Sequence, residues 1–415
     1  MSMIGLMDCN NFFVSCERLF RPDLEGKPVA VLSSNDGCVV ARSQEVKDLG
    51  IAMGVPLFQV KDVCKKEEIT LFSGNITLYR DISARVMQVL AQEVGECEIY
   101  SIDEAFFTLP DGVTESEVHA IRDVVIKNVG IPVSIGVAKT KTLAKHASSV
   151  GKKGDGVCVL TQEDWEVRAK EVKCVEIWGL GRQTTAKLSE KGIRTVSEFM
   201  KLNRGLVSLQ FGVSGERVYD ELHGTSVVRI DGNSEASRKS IASTRSFAKT
   251  TKNLQDLESA VAGHVTHCAE SLRKRGVVAT KVLVQIQTDR YGDFFMQGDS
   301  AEIVFDKPTS TTSVLLTETL KHVRSMYRED VPYKKTGVSF SSLIPEAYMT
   351  TTLYEQEEEK DMNVLDAVID GMNERFGKGM IRSAAILESR AKSNAQLRSP
   401  AYTTQWKDIP SVVGK

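Results

Sequence analysis

The sequence predicts an α+β chain of several domains, with two βαββαβ units as its frame. Three observations lead there. The chain is 415 residues long, more than one ordinary hydrophobic core encloses. Short β-branched and aromatic runs alternate with helical periodicity twice, on either side of a Gly-punctuated helical stretch. Lastly, two adjacent acids, Asp103 and Glu104, sit between strand-like runs, where like charges repel and burial disfavours ionisation.

Residues 4–8 read as a first strand ending at Asp8, and 12–20 as a helix stopped at Arg21-Pro22. Residues 29–32 form a short buried strand, followed by 39–41 and a helical stretch over 44–49 that ends at Gly50. Helical periodicity returns at 84–94. Residues 98–101 and 105–109 then make a tight hairpin with the acid pair at its turn, a helix covers 118–129, and 133–137 is a strand. The result is a βαββαβ plan with residues 20–74 as an inserted small module.

From Lys173 the pattern turns helical. Ile177-Trp178-Gly179-Leu180-Gly181 precedes a helix over 184–191, then Gly192. This fits a helix-hairpin-helix, whose Gly turn exposes backbone N–H groups to a phosphate, and fits an ordinary helix–helix corner equally well. A linker at 232–235 leads to a helix over 253–275 with Leu254, Leu257, Val261, Val265, Cys268 and Leu272 on one face. The strand at 280–288 alternates Val282, Val284 and Ile286 with Lys281, Leu283, Gln285 and Gln287. A helix over 311–327 and a strand over 336–341 complete the second βαββαβ plan, whose open face is expected to show basic groups to a polyanion. Beyond 344 the chain is a poor core former, with an acidic run at 355–361 and one amphipathic helix bearing Leu365, Val368, Ile369, Met372 and Phe376, stopped at Gly377.

Composition narrows the function classes. Apolar residues make up 41% and charged ones 26%, and no apolar run is long enough to cross a membrane. The N-terminus lacks a basic n-region and reads as a strand, not a signal peptide. Eight cysteines are scattered without C-x-x-C pairs or histidines at zinc spacing, which points to reduced thiols in the cytoplasm. The net charge of −2 hides a segregation. Residues 139–153 hold five lysines and no acid; 229–290 hold eleven Lys/Arg against six Asp/Glu; 346–374 hold nine acids and one lysine. A basic groove and a separate acidic tail are the expectation.

Singly, Asp8 could cap a turn and Asp103-Glu104 could be hairpin acids. Together they lie at the ends of strands that the βαββαβ plan makes neighbours. Two divalent ions roughly 3.5–4 Å apart need carboxylates at this density, which favours phosphoryl or nucleotidyl transfer over acid/base hydrolysis. Lys139, Lys141, Lys145, Lys152 and Lys153 follow with no interleaved acid to relieve their repulsion, as phosphates would.

Four stretches together carry a resemblance: Asp8-Cys9-Asn10-Asn11-Phe12-Phe13, Gly37-Cys38-Val39-Val40-Ala41-Arg42, Tyr100-Ser101-Ile102-Asp103-Glu104-Ala105-Phe106, and Gly136-Val137-Ala138-Lys139-Thr140-Lys141-Thr142-Leu143-Ala144-Lys145. With Trp178-Gly179-Leu180-Gly181 and Arg398-Ser399-Pro400-Ala401-Tyr402-Thr403-Thr404, the chain resembles the Y-family translesion DNA polymerases over nearly its whole length. Its branch is that of UmuC, MucB and ImpB, the catalytic subunits of DNA polymerase V.

The resemblance implies a right-hand polymerase: a palm over 1–168 with fingers inserted at about 20–75, a helical thumb over 169–231, a little finger over 238–343 and a C-terminal extension over 344–415. It implies that Asp8, Asp103 and Glu104, with the Cys9 carbonyl, hold two Mg2+ ions. Phe13 falls at the steric gate against a ribose 2′-hydroxyl, with Phe12 beneath the sugar, and Lys152 at the triphosphate. Arg42 and Lys47 would be further triphosphate contacts, although relatives outside this branch carry Thr, Tyr and Arg where this chain has Ala41, Gln44 and Lys47. Lys141, Lys145, Gly179 and Gly181 would contact DNA. The stretch Thr350-Thr351-Thr352-Leu353-Tyr354 stands where the branch keeps a clamp-binding peptide, lacking its glutamine, so Leu353 and Tyr354 are the expected clamp contacts. The implied partners are primer-template DNA, dNTPs, a UmuD-type accessory dimer, a recombinase filament and a sliding clamp. A palm-fold nucleotide cyclase or a non-catalytic DNA-damage adaptor would share part of this pattern; only a polymerase needs all of it.

Overall fold

The apolar run that opens the chain becomes β1 (Met3–Cys9), buried along nearly its whole length. A computed structural model describes residues 2–33, 35–230, 239–289, 298–349, 357–377, 379–386 and 395–411, with side chains from 362 onward in the helix that begins at 357. After β1 come α1 (Phe12–Phe20), β2 (Val29–Leu32), β3 (Val39–Arg42), α2 (Gln44–Asp48), α3 (Leu57–Lys66) and β4 (Thr70–Ser73). The three strands β2 to β4 form a small sheet, order β3-β2-β4, over its own apolar cluster of Ala30, Leu32, Val46 and Ile69. The chain returns through α4 (Ile76–Val94), β5 (Cys97–Ile99), β6 (Glu104–Leu109), α5 (Glu115–Val129), β7 (Val133–Ala138), α6 (Lys141–Gly151) and β8 (Val157–Val159). The main sheet runs β5-β6-β1-β7-β8, which puts β1 between two antiparallel neighbours. The expected plan and insertion are both present; β8, three residues long, was too short to show a period.

Helix α6 lies almost on the sheet backbone. A Cβ on Gly136 of β7 would sit 1.9 Å from the Ser148 amide nitrogen and 2.4 Å from the Ala144 oxygen, so only glycine fits there. Beyond β8 come α7 (Gln162–Arg168), α8 (Arg182–Glu190), α9 (Val196–Met200) and α10 (Arg204–Leu222). Gly179 takes a φ of 94° in the turn before α8, and Gly181 is its N-cap. Glu221 of α10 is buried and accepts from the backbone N–H groups of Thr142, Val227 and Val228 at 2.9, 3.0 and 3.2 Å. It thereby ties α10 to the N-terminus of α6, where a carboxylate also meets the helix dipole favourably. These elements, with residues Ala395–Lys415, form one compact unit.

The second unit, Glu235–Asn394, holds β9 (Ser240–Thr251), α11 (Leu254–Lys274), β10 (Val277–Thr288), β11 (Gly298–Thr309), α12 (Thr312–Met326), β12 (Tyr333–Pro345) and α13 (Glu357–Phe376). Its antiparallel sheet runs β11-β10-β12-β9. Val282, Val284 and Ile286, with Val338 and Phe340, are fully buried in the cluster that includes α11 and α12, as the alternation predicts. The open face differs from expectation. Register places Ser240, Ala242, Thr244 and Ser246, Ser339 and Gly337, Gln285 and Gln287 there, with Lys281 and Lys335 as its cations, and Lys281 pairs with Glu302 at 3.1 Å. It is a small, hydroxyl-rich face more than a basic one.

The stretch 344–415 divides. Helix α13 packs within the second unit, where Arg273 bridges Asp366 at 3.1 Å and Asp370 at 2.8 Å, and the Thr312 N–H donates to Asp366 at 2.8 Å. The amphipathic reading of this helix is reversed: its acids dock, while Leu365, Val368, Met372 and Phe376 are exposed. An Arg on α11 and the free N–H groups opening α12 reward carboxylates more than apolar groups. Residues 395–411 instead belong to the first unit, where Arg398 forms a parallel bridge with Ser73. Leu353 and Tyr354 and the linker at 232–235 lie outside the described residues.

Candidate functional site

Antiparallel register sets Asp8 directly opposite Glu104 at the ends of β1 and β6. The chain then crosses over, and the Cys9 N–H donates to the Asp103 carbonyl at 2.8 Å. Asp103 itself turns toward its own loop, where Oδ1 accepts from the Ser101 hydroxyl at 2.6 Å. Burial, opposed by Lys152 and reinforced by the Glu104 charge, raises the Asp8 carboxyl to about 6. Burial and the nearby Asp8 and Asp103 push the Cys9 thiol well up, so it is an inert side chain at an acidic strand end.

Two lysines of the α6 region neutralise the acids. Lys152 reaches Asp8 Oδ1 at 2.6 Å and Lys145 reaches Glu104 Oε2 at 2.8 Å. The Lys145 ammonium also lies 5.1 Å from the Tyr100 ring centre and 5.6 Å from that of Trp178. Gly136 is what lets α6 come close enough for both contacts. Among the described residues no three His, Cys, Asp or Glu side chains are already gathered around a metal position; the ammonium groups hold the carboxylates instead. The half-buried carboxylates of Asp8 and Glu104 present hard oxygen atoms of the kind that fits a divalent cation.

The lysine run changes meaning in three dimensions. Lys141 is 2% exposed, pairs with Glu98 at 2.6 Å, donates to the Arg229 carbonyl at 2.8 Å and lies over the Phe106 ring. The expectation that it contacts DNA is corrected: its ammonium is locked in a buried ion pair. Lys145 likewise points to Glu104 and its aromatic box rather than away from the acids. The repulsion that seemed to require phosphates is relieved by Glu98, Glu104 and Asp8, which arrive from other strands.

Two other cations, Lys47 and Arg42, lie close enough to each other and to Lys152 for their charges to interact. Lys47 donates to Asn11 Oδ1 at 2.6 Å, and it is held below the usual lysine range by burial and then by the charges of Lys152 and Arg42. Arg42 donates to the Ile51 carbonyl, while its buried Nε has no hydrogen-bond partner among the described residues. Asn11 sits at a φ of 48°, the strained corner that turns β1 into α1 and aims Phe12 and Phe13. Phe12 is buried; Phe13 is half-buried and stacks on Tyr79 with ring centres 4.4 Å apart. Gly179 and Gly181 flank Leu180 beside Trp178, whose ring packs edge-on to Tyr100 at 5.6 Å. Sequence reading overlooked Glu98, Tyr79 and Glu17. Glu17 is a carboxyl in the middle of an apolar helix, a signal visible in the sequence and left unused.

Carboxylates at paired strand ends beneath converging cations define a phosphate-handling enzyme, and the fold narrows the class. A solved Y-family DNA polymerase, a chimera of Dbh and Dpo4, shares it with a TM-score of 0.68 over 82% of this chain and 99% of that one, at 19% identity. The sequence model of the impB/mucB/samB family matches residues 7–149, that of its C-terminal domain 238–353, and a domain of unknown function 363–412. UmuC of Salmonella typhimurium is 33% identical over 98% of this chain and 99% of its own length, and MucB of Escherichia coli 32% over the same shares. A DNA polymerase IV of Bacillus subtilis is 25% identical over 94% and 95%. The chain belongs to the impB/mucB/samB family of Y-family, UmuC-type polymerases. Its activity is error-prone, DNA-directed DNA synthesis across lesions in the SOS response, with template DNA and deoxynucleotides as ligands and divalent metal ions as cofactors. No described helix is long and apolar enough to cross a membrane.

Proposed function

We propose that nucleotidyl transfer takes place at the Asp8–Glu104 strand ends. The observation that carries this reading is the register that sets Asp8 and Glu104 face to face, with Lys152 on Asp8, Lys145 on Glu104, and Lys47 near enough to feel the charges of Asp8, Lys152 and Arg42. Lys47 is depressed first by burial and then by the charges of Lys152 and Arg42, and a nucleoside triphosphate would be the polyanion such a group of cations accommodates. Asp8, Asp103, Glu104 and the Cys9 carbonyl would hold two Mg2+ ions, which supply Lewis acidity at the primer hydroxyl and the phosphates. Lys152 and Lys145 keep the carboxylates charged until then and, once displaced, are free to meet phosphate oxygens. Arg42 and Lys47 orient the triphosphate; Phe13 closes the sugar pocket against a 2′-hydroxyl, with Phe12 beneath the sugar.

In this reading residues 1–168 serve as palm with inserted fingers, 169–231 as thumb and 238–343 as little finger. Gly179 and Gly181 then offer backbone N–H groups to the DNA backbone, and the hydroxyl-rich sheet of the second unit grips phosphates without reading sequence. The protein works in the cytoplasm with a UmuD-type dimer and a recombinase filament, and Leu353 and Tyr354 touch the sliding clamp. The reading is tested by primer extension: Asp103→Ala should abolish it on undamaged and abasic templates while primer-template affinity persists. An Asp103→Ala chain that extends like wild type would sink the proposal.

A further inference from the structure

The tail at residues 395–411 ends its path across the first unit on a buried carboxylate. Glu17 of α1 is fully buried, and its Oε1 accepts from the Tyr79 hydroxyl at 2.6 Å and from the Ser399 hydroxyl at 3.0 Å. Its Oε2 has no hydrogen-bond partner among the described residues. Burial raises the Glu17 carboxyl, and the two hydroxyls oppose that rise. A carboxyl kept at such cost needs a purpose, and its geometry supplies one. The Tyr79 ring, steered by its bond to Glu17, is the surface on which Phe13 stacks, with the two rings 16° from parallel.

Ser399 is itself held firmly. It is 8% exposed, and the Asn75 amide donates to its Oγ at 3.0 Å, to its carbonyl at 3.2 Å and to the Pro400 carbonyl at 3.3 Å. Hydrogen bonds also lock Leu397, two residues earlier: the Ser73 N–H donates to the Leu397 carbonyl at 3.0 Å, and the Leu397 N–H donates to the Ser73 hydroxyl at 2.9 Å. Three residues beyond Ser399, Tyr402 stacks on Phe20 at the far end of α1, with ring centres 4.5 Å apart. The tail therefore grips α1 at two places, and one of them leads by hydrogen bonds to the ring under Phe13.

We propose that Ser399 is a positioning residue for sugar selection: through Glu17 and Tyr79 it fixes the ring of Phe13 against the incoming nucleotide. The proposal rests on the reading of Phe13 as the sugar gate. A steric gate discriminates only as well as it is held still, because repulsion rises steeply over a few tenths of an ångström and a ring free to slide makes room for a hydroxyl. The residues matched only to a domain of unknown function thus acquire a role for one of their side chains.

The test is single-nucleotide insertion by the full chain on a primed template, with kcat and KM measured separately for a dNTP and the matched rNTP. Ser399→Ala should lower dNTP-over-rNTP selectivity about threefold to fivefold, the effect of one lost hydrogen bond, mainly through a lower KM for the rNTP. Its dNTP insertion should stay at wild-type level, and Ser399→Thr, which keeps the hydroxyl, should restore selectivity. Added to Phe13→Ala, Ser399→Ala should change selectivity no further. Tyr79→Phe, which keeps the ring and removes the hydroxyl, should match Ser399→Ala and serves if the tail variant folds poorly. Selectivity unchanged in Ser399→Ala and Tyr79→Phe, equal losses for both nucleotides, or an additive effect in the Phe13→Ala background would overturn the proposal. If Phe13→Ala alone leaves selectivity intact, the gate reading itself fails, and the role of Ser399 falls with it.

Discussion

The two sheets follow the same element order, βαββαβ, and differ in how the strands are arranged. In the first unit the opening strand, β1, lies between β6 and β7; in the second the opening strand, β9, lies at the edge and pairs only with β12. That one change decides what meets at the strand ends. A central β1 carries Asp8 to Glu104 and gives α6 a glycine-floored bed from which Lys145 and Lys152 reach both acids. An edge β9 brings no carboxylate to a neighbour and leaves a face of serines, threonines and glutamines. One arrangement concentrates charge for chemistry; the other spreads hydrogen-bonding groups for contact. Shared topology says little about function until the position of each chemical group in the register is known.

The comparison is broken most severely at Gly136. A valine there must displace α6, so Gly136→Val should destabilise the first unit by more than about 4 kcal/mol and leave the melting of the second unit unchanged, as read by urea unfolding followed by hydrogen exchange in each. Glu221→Ala strands three backbone N–H groups and should cost the same unit about 2–4 kcal/mol in urea melts, with Glu221→Gln costing less.

One titratable group in each unit should contribute to the pH dependence with opposite sign. His264 of the second unit is held neutral at about 4 by burial and then by Arg245 and His267, and Ser243 lies 2.8 Å from its Nδ1. Its folded value lies below the unfolded 6.5, so its contribution is complete above pH 6.5 and drains away as pH falls from 6.5 to 4, by roughly 2–3 kcal/mol. Asp8 has the reverse sign: its folded value lies above 3.8, so its own contribution to the first unit declines as pH rises from 3.8 toward 6 in the absence of divalent ions. Chemical denaturation between pH 4 and pH 7 checks both, and His264→Gln should flatten the first trend alone. The smallest effect belongs to the open face: Lys335→Ala should weaken primer-template binding about twofold to threefold for every sequence and lower the salt dependence by about one ion.

How much of this was legible in the sequence depends on distance along the chain. The helix over 12–20 follows from local spacing and was found where the pattern put it; the flanking strands run 97–99 and 104–109, so Glu104 belongs to β6 and only Asp103 to the turn. The fate of the lysines was hidden, because Lys141 finds Glu98 across 43 positions and Lys145 finds Glu104 across 41. A run without interleaved acids looks solvent-facing until the sheet supplies partners. Helix α13 misled for a related reason: its apolar stripe was plain, but the attraction of Asp366 and Asp370 for Arg273 is non-local. The bond between Glu17 and Ser399 spans 382 positions, beyond any periodicity.

The central proposal is that the ends of β1 and β6 form the divalent-metal site of the polymerase. Mn2+ binding to the full chain with primer-template and a non-hydrolysable dNTP, followed by electron paramagnetic resonance, tests that without relying on turnover. The account predicts two bound ions for wild type and weakened binding, by tenfold or more (about 1.4 kcal/mol), for Glu104→Gln and Asp8→Asn. Two ions bound as tightly by Glu104→Gln as by wild type would contradict it.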